Sequence, residues 1–588
     1  MKRLALVLAL GTSAAACTGT IGDGLPGNRP DQTGPVTTDP VTGKPTTAAP
    51  GTPKPNGPGT TGGMDPAAPP SAEVSCSGAG KDNTVGRRTL RRLTNAEFEA
   101  TIRTTFGLDT KQWAGLTVPP DRGSADGFNN NVDSLKVSNE YAIGASESGK
   151  RVAALITDSA VLGKLLPCST AGDGACAGTF LDTIGAQLYR RPLAATEKAR
   201  FMALFDKVSK GADFKTFVYW ATATMLQSPN VIYRSELGEP DGAGRFKLSP
   251  YEVASELAYN FTGQPPTAEL LALAAGNKLS TPDEIEAAAR ALVMDGTTIK
   301  PGFREVFLKF SEQWLGLSGL SNLKKDSMAF PDYNNQVQDA LGEETRQFVS
   351  AVVLEDKGTV DKLFTAPYTV VNPLLAKFYG FPAGTGTDFA RVNRPADWGI
   401  GLLAQGSILS VKANSLKTSP TKRGHLIRTN IMCGVVPPPP PTVAELPPPT
   451  EGETTRQRYE KLHAPDPACS ACHVKMDPVG FAFEHLDATG RFRAKEGKFD
   501  IDDSGVLTET SKGDLKFKGA NELATILSTL PEVADCMGSY MAAYTFGVSQ
   551  ENASCLVRSV MGELKSGKSL LDYYLRLSRA DHFRIRQQ

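Results

Sequence analysis

The sequence predicts a mainly α fold: a multi-lobed helical body, a Pro-rich crossing, and a smaller C-terminal helical lobe with a short hairpin. Three observations lead there. Apolar residues recur at helical spacing directly behind N-capping signals. Convincing alternating strands are scarce. A proline run, "VVPPPPPTVAELPPPT", interrupts the pattern after Cys433 and suits a stiff polyproline crossing better than a helix or a central strand. With 588 residues the chain is too long for one core, and two to four domains are expected. Hydrophobic content of 40% and charged content of 21% indicate that most of it folds. Lys plus Arg and Asp plus Glu balance at 63 each, which argues against a nucleic-acid partner.

Residues 1–16 read as a signal segment. Lys2 and Arg3 precede an apolar run, Leu4–Leu10, that is too short to span a bilayer. Small residues Ala14–Ala16 lead into Cys17 and resemble a bacterial lipoprotein signal, in which that Cys takes the lipid and becomes the first residue. A plain secretory signal cut elsewhere is the alternative. Thr18 follows Cys17 in place of the Asp that commonly retains lipoproteins at the inner membrane. The expected location is therefore the cell envelope, at the outer membrane, with the lipid as the only membrane contact. Residues 17–85 are rich in Thr, Gly and Pro with little to bury, and form an expected disordered tether.

The body is divided in order. Residues 86–165 form an N-terminal helical segment, in which Thr94 and Glu97 make a capping box ahead of the Phe98, Ile102 and Phe106 stripe. Residues 166–240 form a second helical segment. Residues 241–382 form a central helical domain, in which Ser249, Pro250 and Glu252, and again Thr281, Pro282 and Glu284, start helices. The segment 383–450 ends in the proline crossing. Residues 451–495 hold a Cys-x-x-Cys-His stretch, and 496–588 form the C-terminal helical segment, with a hairpin expected around Ser504-Gly505.

Nine cysteines are present: Cys17, Cys76, Cys168, Cys176, Cys433, Cys469, Cys472, Cys536 and Cys555. Setting aside Cys17 and the Cys469/Cys472 pair leaves six, an even remainder that outside the cytoplasm suggests disulfides. Cys168 and Cys176 flank the short loop of "CSTAGDGAC" and form the best single pair. Cys76, Cys433, Cys536 and Cys555 allow three pairings.

Cys469-x-x-Cys472-His473 carries the chemistry. With nine Cys and five His in 588 residues, a chance match is expected on the order of 0.001 times. Two cysteines three apart lie one helical turn apart on one face. They can reach both vinyl groups of one haem, and the adjacent His473 can ligate its iron. That predicts haem c, held covalently. A Cys469–Cys472 disulfide is a second reading. Zinc held by His463, Cys469, Cys472 and His473 is a third, made awkward by adjacent ligands at 472 and 473, and an inert pair of cysteines is a fourth. Met476 lies too close behind His473 to reach the opposite side of a haem. His463, His485, Met432, Met537 and Met541 are the candidates for the sixth position, and an open position is a further option. Asp477, Glu484 and Asp487 read as capping or solvated residues. "DIDDSG" at 500–505 imitates the start of a calcium loop, but Ser511 stands where Glu should close it, which argues against calcium. His425 and His582 read as structural or surface residues.

Several segments together resemble a family of large exported bacterial proteins. "RRLTNAEFEATIRTTFGLD", "GFNNNVDSLKVS", "LYRRPLAATEKARF", "LSPYEVASELAYNF" and "GEETRQFVSAVV" look like its segments in order. "SPTKRGHLIRTNIMCGVVPPPPPTV", "CSACHVKMDPVGFAFEHLDATGRFR" and "DCMGSYMAAYTFG" look like its later ones. The family's segments are known as domains of unknown function, and some relatives carry additional cytochrome-c-like or carbohydrate-binding modules. The resemblance implies an exported, haem-linked protein and no particular reaction. "ELAYNFT" departs from the Arg-Leu-Ser-Tyr-Phe-Leu-Trp run of relatives.

The expected function is electron transfer coupled to oxidation of a substrate that the sequence does not identify, with a redox partner equally unidentified. The first rival is a non-redox, disulfide-stapled scaffold that binds polysaccharide or a protein; a hydrolase acting outside the cell is the second, with no catalytic set that the sequence assembles.

Overall fold

The computed structural model describes residues 85–587 apart from 110, 112–114, 210–212, 383–385, 438–451, 464–466, 558–559 and 561–566, together with two short strands at Ser77–Gly78 and Lys81–Asp82. The signal segment, Cys17, Cys76, nearly all of the tether and the proline crossing lie outside the described residues. The described residues all fall within the unit Ala68–Gln588.

The fold is mainly α, and its strands form only small sheets of two or three short members. Helix starts follow the sequence closely. Thr94, Ser249 and Thr281 each accept a hydrogen bond from the backbone three residues on, and the carboxylates of Glu97, Glu252 and Glu284 each accept one from the backbone N–H of the cap. Each box satisfies two otherwise orphaned donors. The helix Asn95–Phe106 then stops at Gly107, whose positive φ of 61° supplies the left-handed cap that a side chain disfavours.

The buried apolar residues fall into clusters. One gathers Phe98, Ile102, Phe106, Phe180, Leu188 and Phe217 from the N-terminal helices. A small one surrounds Leu341, Leu375 and Tyr379. The largest runs from Phe128 through Phe261, Trp314 and Phe348 to Val479, Met541 and Phe583, so the C-terminal helices share their core with the central ones.

Long-range pairing ties the early and late chain together. Thr89–Arg92 pairs antiparallel with Tyr233–Glu236. Ile585–Arg586 pairs with Phe246–Lys247, which also pairs with Glu239–Pro240. Between these ribbons sits a buried ionic cluster. Arg586 donates to Glu236 at 2.7 Å, Arg234 donates to Asn260 at 3.0 Å, and Glu256 lies 3.8 Å from Arg234.

The expected hairpin is displaced. Ser504 and Gly505 do not form its turn; they open the strand Ser504–Leu507, which pairs with Leu515–Lys518. Asp502 accepts from the backbone and hydroxyl of Ser504, so the polar run that resembled a turn ends a few residues early and hands over to a strand. A second, smaller hairpin joins Lys495–Glu496 to Phe499–Asp500 across Gly497.

Two disulfides join described residues: Cys168–Cys176 and Cys433–Cys536. Cys555 is also disulfide-bonded.

Candidate functional site

The helix Pro467–Phe481 carries the Cys-x-x-Cys-His motif. It is clamped onto the helix Pro420–Leu426 through glycines on both sides. A Cβ on Gly480 would lie 1.9 Å from the carbonyl oxygen of Pro420, and one on Gly424 would lie 1.9 Å from that of Met476. The two backbones thus approach to a distance that no side chain permits.

Buried arginines complete the clamp. Arg423 donates to the carbonyls of Phe483, Leu486 and Asp487 at 2.8–2.9 Å, beyond the end of the motif helix. Burial pulls its guanidinium down to about 10, against the opposing charge of Glu484. Glu484 accepts from Arg493 at 2.8 Å and from Thr418 at 2.8 Å. Arg428 donates to the carbonyls of Lys475 and Thr508 at 2.8 and 2.6 Å. The motif helix is therefore held at its middle and its end, which fixes what its first turns present.

Cys469 and Cys472 are half-buried, and neither is in a disulfide. His473 is also half-buried, and the next residue, Val474, is 59% exposed. Asp477, one turn further, is 5% exposed. Its carboxylate is the hub of the site. One oxygen lies 2.8 Å from Nδ1 of His463 and 3.0 Å from Nδ1 of His473. The other accepts from the Thr421 hydroxyl at 2.6 Å and lies 3.2 Å from Nδ1 of His473, which thus straddles both oxygens. Burial pushes the Asp477 carboxyl up, but hydrogen bonds from His463, His473 and Thr421 outweigh it and hold the group below the usual range. An ionised carboxylate accepts only, so both imidazoles carry their proton on Nδ1 and present Nε2 elsewhere.

His463 reaches the hub from the end of the helix Thr455–His463. Its ring lies 3.5 Å, centroid to centroid, from that of His473, and Tyr459 meets its edge at 5.1 Å. At that separation no macrocycle fits between the two rings, so this geometry does not place His463 across a haem from His473. The four-ligand zinc set is not assembled as the sequence suggested either. Among the described residues, the three groups whose ligand atoms lie within 4.8 Å of one another are His463, His473 and Asp477.

The remaining sixth-position candidates are engaged elsewhere. Met432, Met537 and Met541 are all buried in the large core. His485 bonds the Arg493 carbonyl at 2.9 Å and stacks on Phe492. Asp477 departs most from its expected capping or solvated role, and Glu484 too is buried and paired. The signal was available: Asp477 follows His473 by four residues, so the two share a helical face. Asp487 does cap, accepting from the backbone of Thr489 and Arg491. His582 is buried against Phe546, and His425 is exposed.

The donor set fits covalent haem: two unbridged thiols one turn apart, and a histidine whose Nδ1 is engaged while Nε2 has no hydrogen-bond partner among the described residues.

Fold and site together define a mainly α, extended-sequence protein whose consecutive segments lead up to one Cys-x-x-Cys-His helix. Four family models match it in succession: PSD3, Protein of unknown function (DUF1587), over residues 91–156; PSD5, Protein of unknown function (DUF1595), over 176–236; PSD4, Protein of unknown function (DUF1592), over 248–381; and PSCyt3, Protein of unknown function (DUF1588), over 400–496. The chain belongs to a family built of these consecutive domains of unknown function. Thr421, His463, Cys469, Cys472, His473 and Asp477 all lie within the PSCyt3 match. No curated protein and no solved structure matches the chain. Among the described residues no helix is long and apolar enough to cross a membrane.

Proposed function

We propose that the chain is an extracytoplasmic electron-transfer protein carrying one covalent haem. Cys469 and Cys472 would hold the haem by thioether bonds, and His473 would ligate its iron through Nε2. When bound, the haem supplies a one-electron couple of ferric and ferrous iron. Asp477 holds the His473 proton on Nδ1 and orients the ring. The glycine clamp holds the helix that presents all three residues. The carrying observation is the pair of unbridged, half-buried thiols beside a histidine already fixed by a carboxylate. The name of the PSCyt3 model is compatible with a cytochrome-like module. Disulfides elsewhere in the chain suit an oxidising compartment, as haem attachment requires. Anchoring by a lipid on Cys17 at the outer membrane, and coupling to oxidation of a substrate, complete the proposal.

The test is the absorption spectrum of protein exported with haem-attachment machinery. Soret absorbance is expected to survive denaturation and acid–acetone extraction, and to vanish in Cys469→Ala/Cys472→Ala. The mass of the native N-terminus in the same preparation should be that of a lipid-modified Cys17. A colourless wild-type protein would overturn the haem reading and leave the disulfide-stapled scaffold.

A further inference from the structure

A single buried carboxylate serves two imidazoles at this site. Asp477 lies at hydrogen-bond distance from Nδ1 of both His473, on its own helix, and His463, on the preceding one. The Thr421 hydroxyl takes its other oxygen. No Lys or Arg forms an ion pair with it among the described residues; its only charged-type partners are the two histidines. The negative charge of Asp477 is therefore shared between its two imidazole donors.

A histidine that ligates a metal becomes a stronger donor when its far nitrogen gives a hydrogen bond to a carboxylate. A stronger donor favours the more oxidised, more positively charged metal. We propose that Asp477 is a positioning residue that sets the reduction potential of a haem on His473, and that His463 regulates it by competing for the charge of the same carboxylate. The proposal rests on the haem reading. The more of its charge Asp477 gives to the His473 proton, the lower the potential. The more His463 takes, the higher.

This makes two substitutions act in opposite directions. Asp477→Asn keeps the shape and removes the charge. His463→Phe keeps a flat ring against His473 and removes the competing donor. With haem loaded, Asp477→Asn should favour the ferrous form at least tenfold over wild type at a fixed solution potential, about 59 mV upward for a one-electron couple. His463→Phe should shift the balance toward the ferric form. Asp477→Glu, which restores the charge on a longer arm, should recover part of the Asn shift. A role confined to holding the helix would move stability and leave this pattern absent.

The measurement is a spectroelectrochemical titration of the full-length exported protein and the three variants, with circular dichroism to confirm folding. Potentials moved in opposite directions by Asp477→Asn and His463→Phe support the proposal. A loaded, folded Asp477→Asn protein with the wild-type potential overturns it, as do shifts of the same sign in both variants. If Asp477→Asn does not load, His463→Phe and Asp477→Glu decide: an unchanged potential in His463→Phe overturns the proposal. A wild-type protein with no covalent Soret band fails at the earlier step and overturns the haem reading itself, so the two failures are distinct.

Discussion

Glu236 and Arg586 meet at 2.7 Å with almost no access to water. Burial and the nearby Glu256 charge push the Glu236 carboxyl up to about 7, against the pull of Arg586 and Arg234. Burial also acts to raise Glu256, but Arg234, the hydrogen bond with Glu236, Arg91 and Arg586 outweigh it and hold Glu256 below the usual range. A carboxyl raised on folding binds its proton more tightly in the folded state. The stability Glu236 contributes is therefore present below its ordinary 4.5 and is lost as pH rises through about 7. His582 runs the other way: burial and Arg586 push it well below its ordinary 6.5, so its contribution is present above that value and lost as pH falls. Comparing wild type with Glu236→Gln cancels the His582 effect. Urea unfolding at pH 5 and pH 8 should show wild type losing stability relative to the variant by on the order of 3 kcal/mol. A difference that is the same at both pH values would refute this. At this scale the sequence was partly legible. Spacing alone singled out Cys469, Cys472 and His473. It placed His463 among the candidate ligands but not with its ring stacked on His473, because that contact depends on how two helices meet. Asp477 looked like one more polar residue among Glu484 and Asp487, and only their partners in the fold separate their roles: two imidazoles for Asp477, Arg493 and Thr418 for Glu484.

Helices were the most legible elements, because caps and apolar stripes are local signals. The three capping boxes are all formed. The ribbon of Thr89–Arg92 with Tyr233–Glu236 was not legible, since its pairing joins segments more than a hundred residues apart and neither alternates clearly. Nor was the glycine contact between the motif helix and Pro420–Leu426. Gly424 and Gly480 look like weak points in helical stretches until their neighbours are known. Gly480→Ala should force the two helices apart and cost about 1–3 kcal/mol, read from chemical denaturation. An unchanged midpoint would show that the approach to the Pro420 carbonyl is not a constraint. The same variant should reduce haem loading, because the displaced helix carries Cys469, Cys472 and His473.

Across the whole molecule, the large apolar cluster joins residues from 128 to 583. The sequence suggested a smaller C-terminal lobe because the proline run looks like a boundary, yet residues on both sides of it pack into that cluster. Cys433–Cys536 reinforces this union, closing a separation of 103 residues between the end of the Pro420 helical run and the helix Pro531–Phe546. Replacing both cysteines by Ser should lower stability by about 2–4 kcal/mol. Denaturation of the double variant measures it, and an unchanged stability would mean that packing alone holds the two segments together.

The ribbon at the start of the body has a mechanical consequence. The backbone of Arg88 donates to Gln587, and that of Gln587 donates to Gly86. Tension arriving through the residues before Val85 is received first by this pairing, then by Thr89–Arg92 on Tyr233–Glu236 and the buried Arg586–Glu236 contact. The motif helix joins neither ribbon, and its glycine contacts lie with residues 420 and 424. A pull on the chain ahead of the body would therefore load a zipper of backbone bonds and an ionic lock before it strained the helix that presents His473.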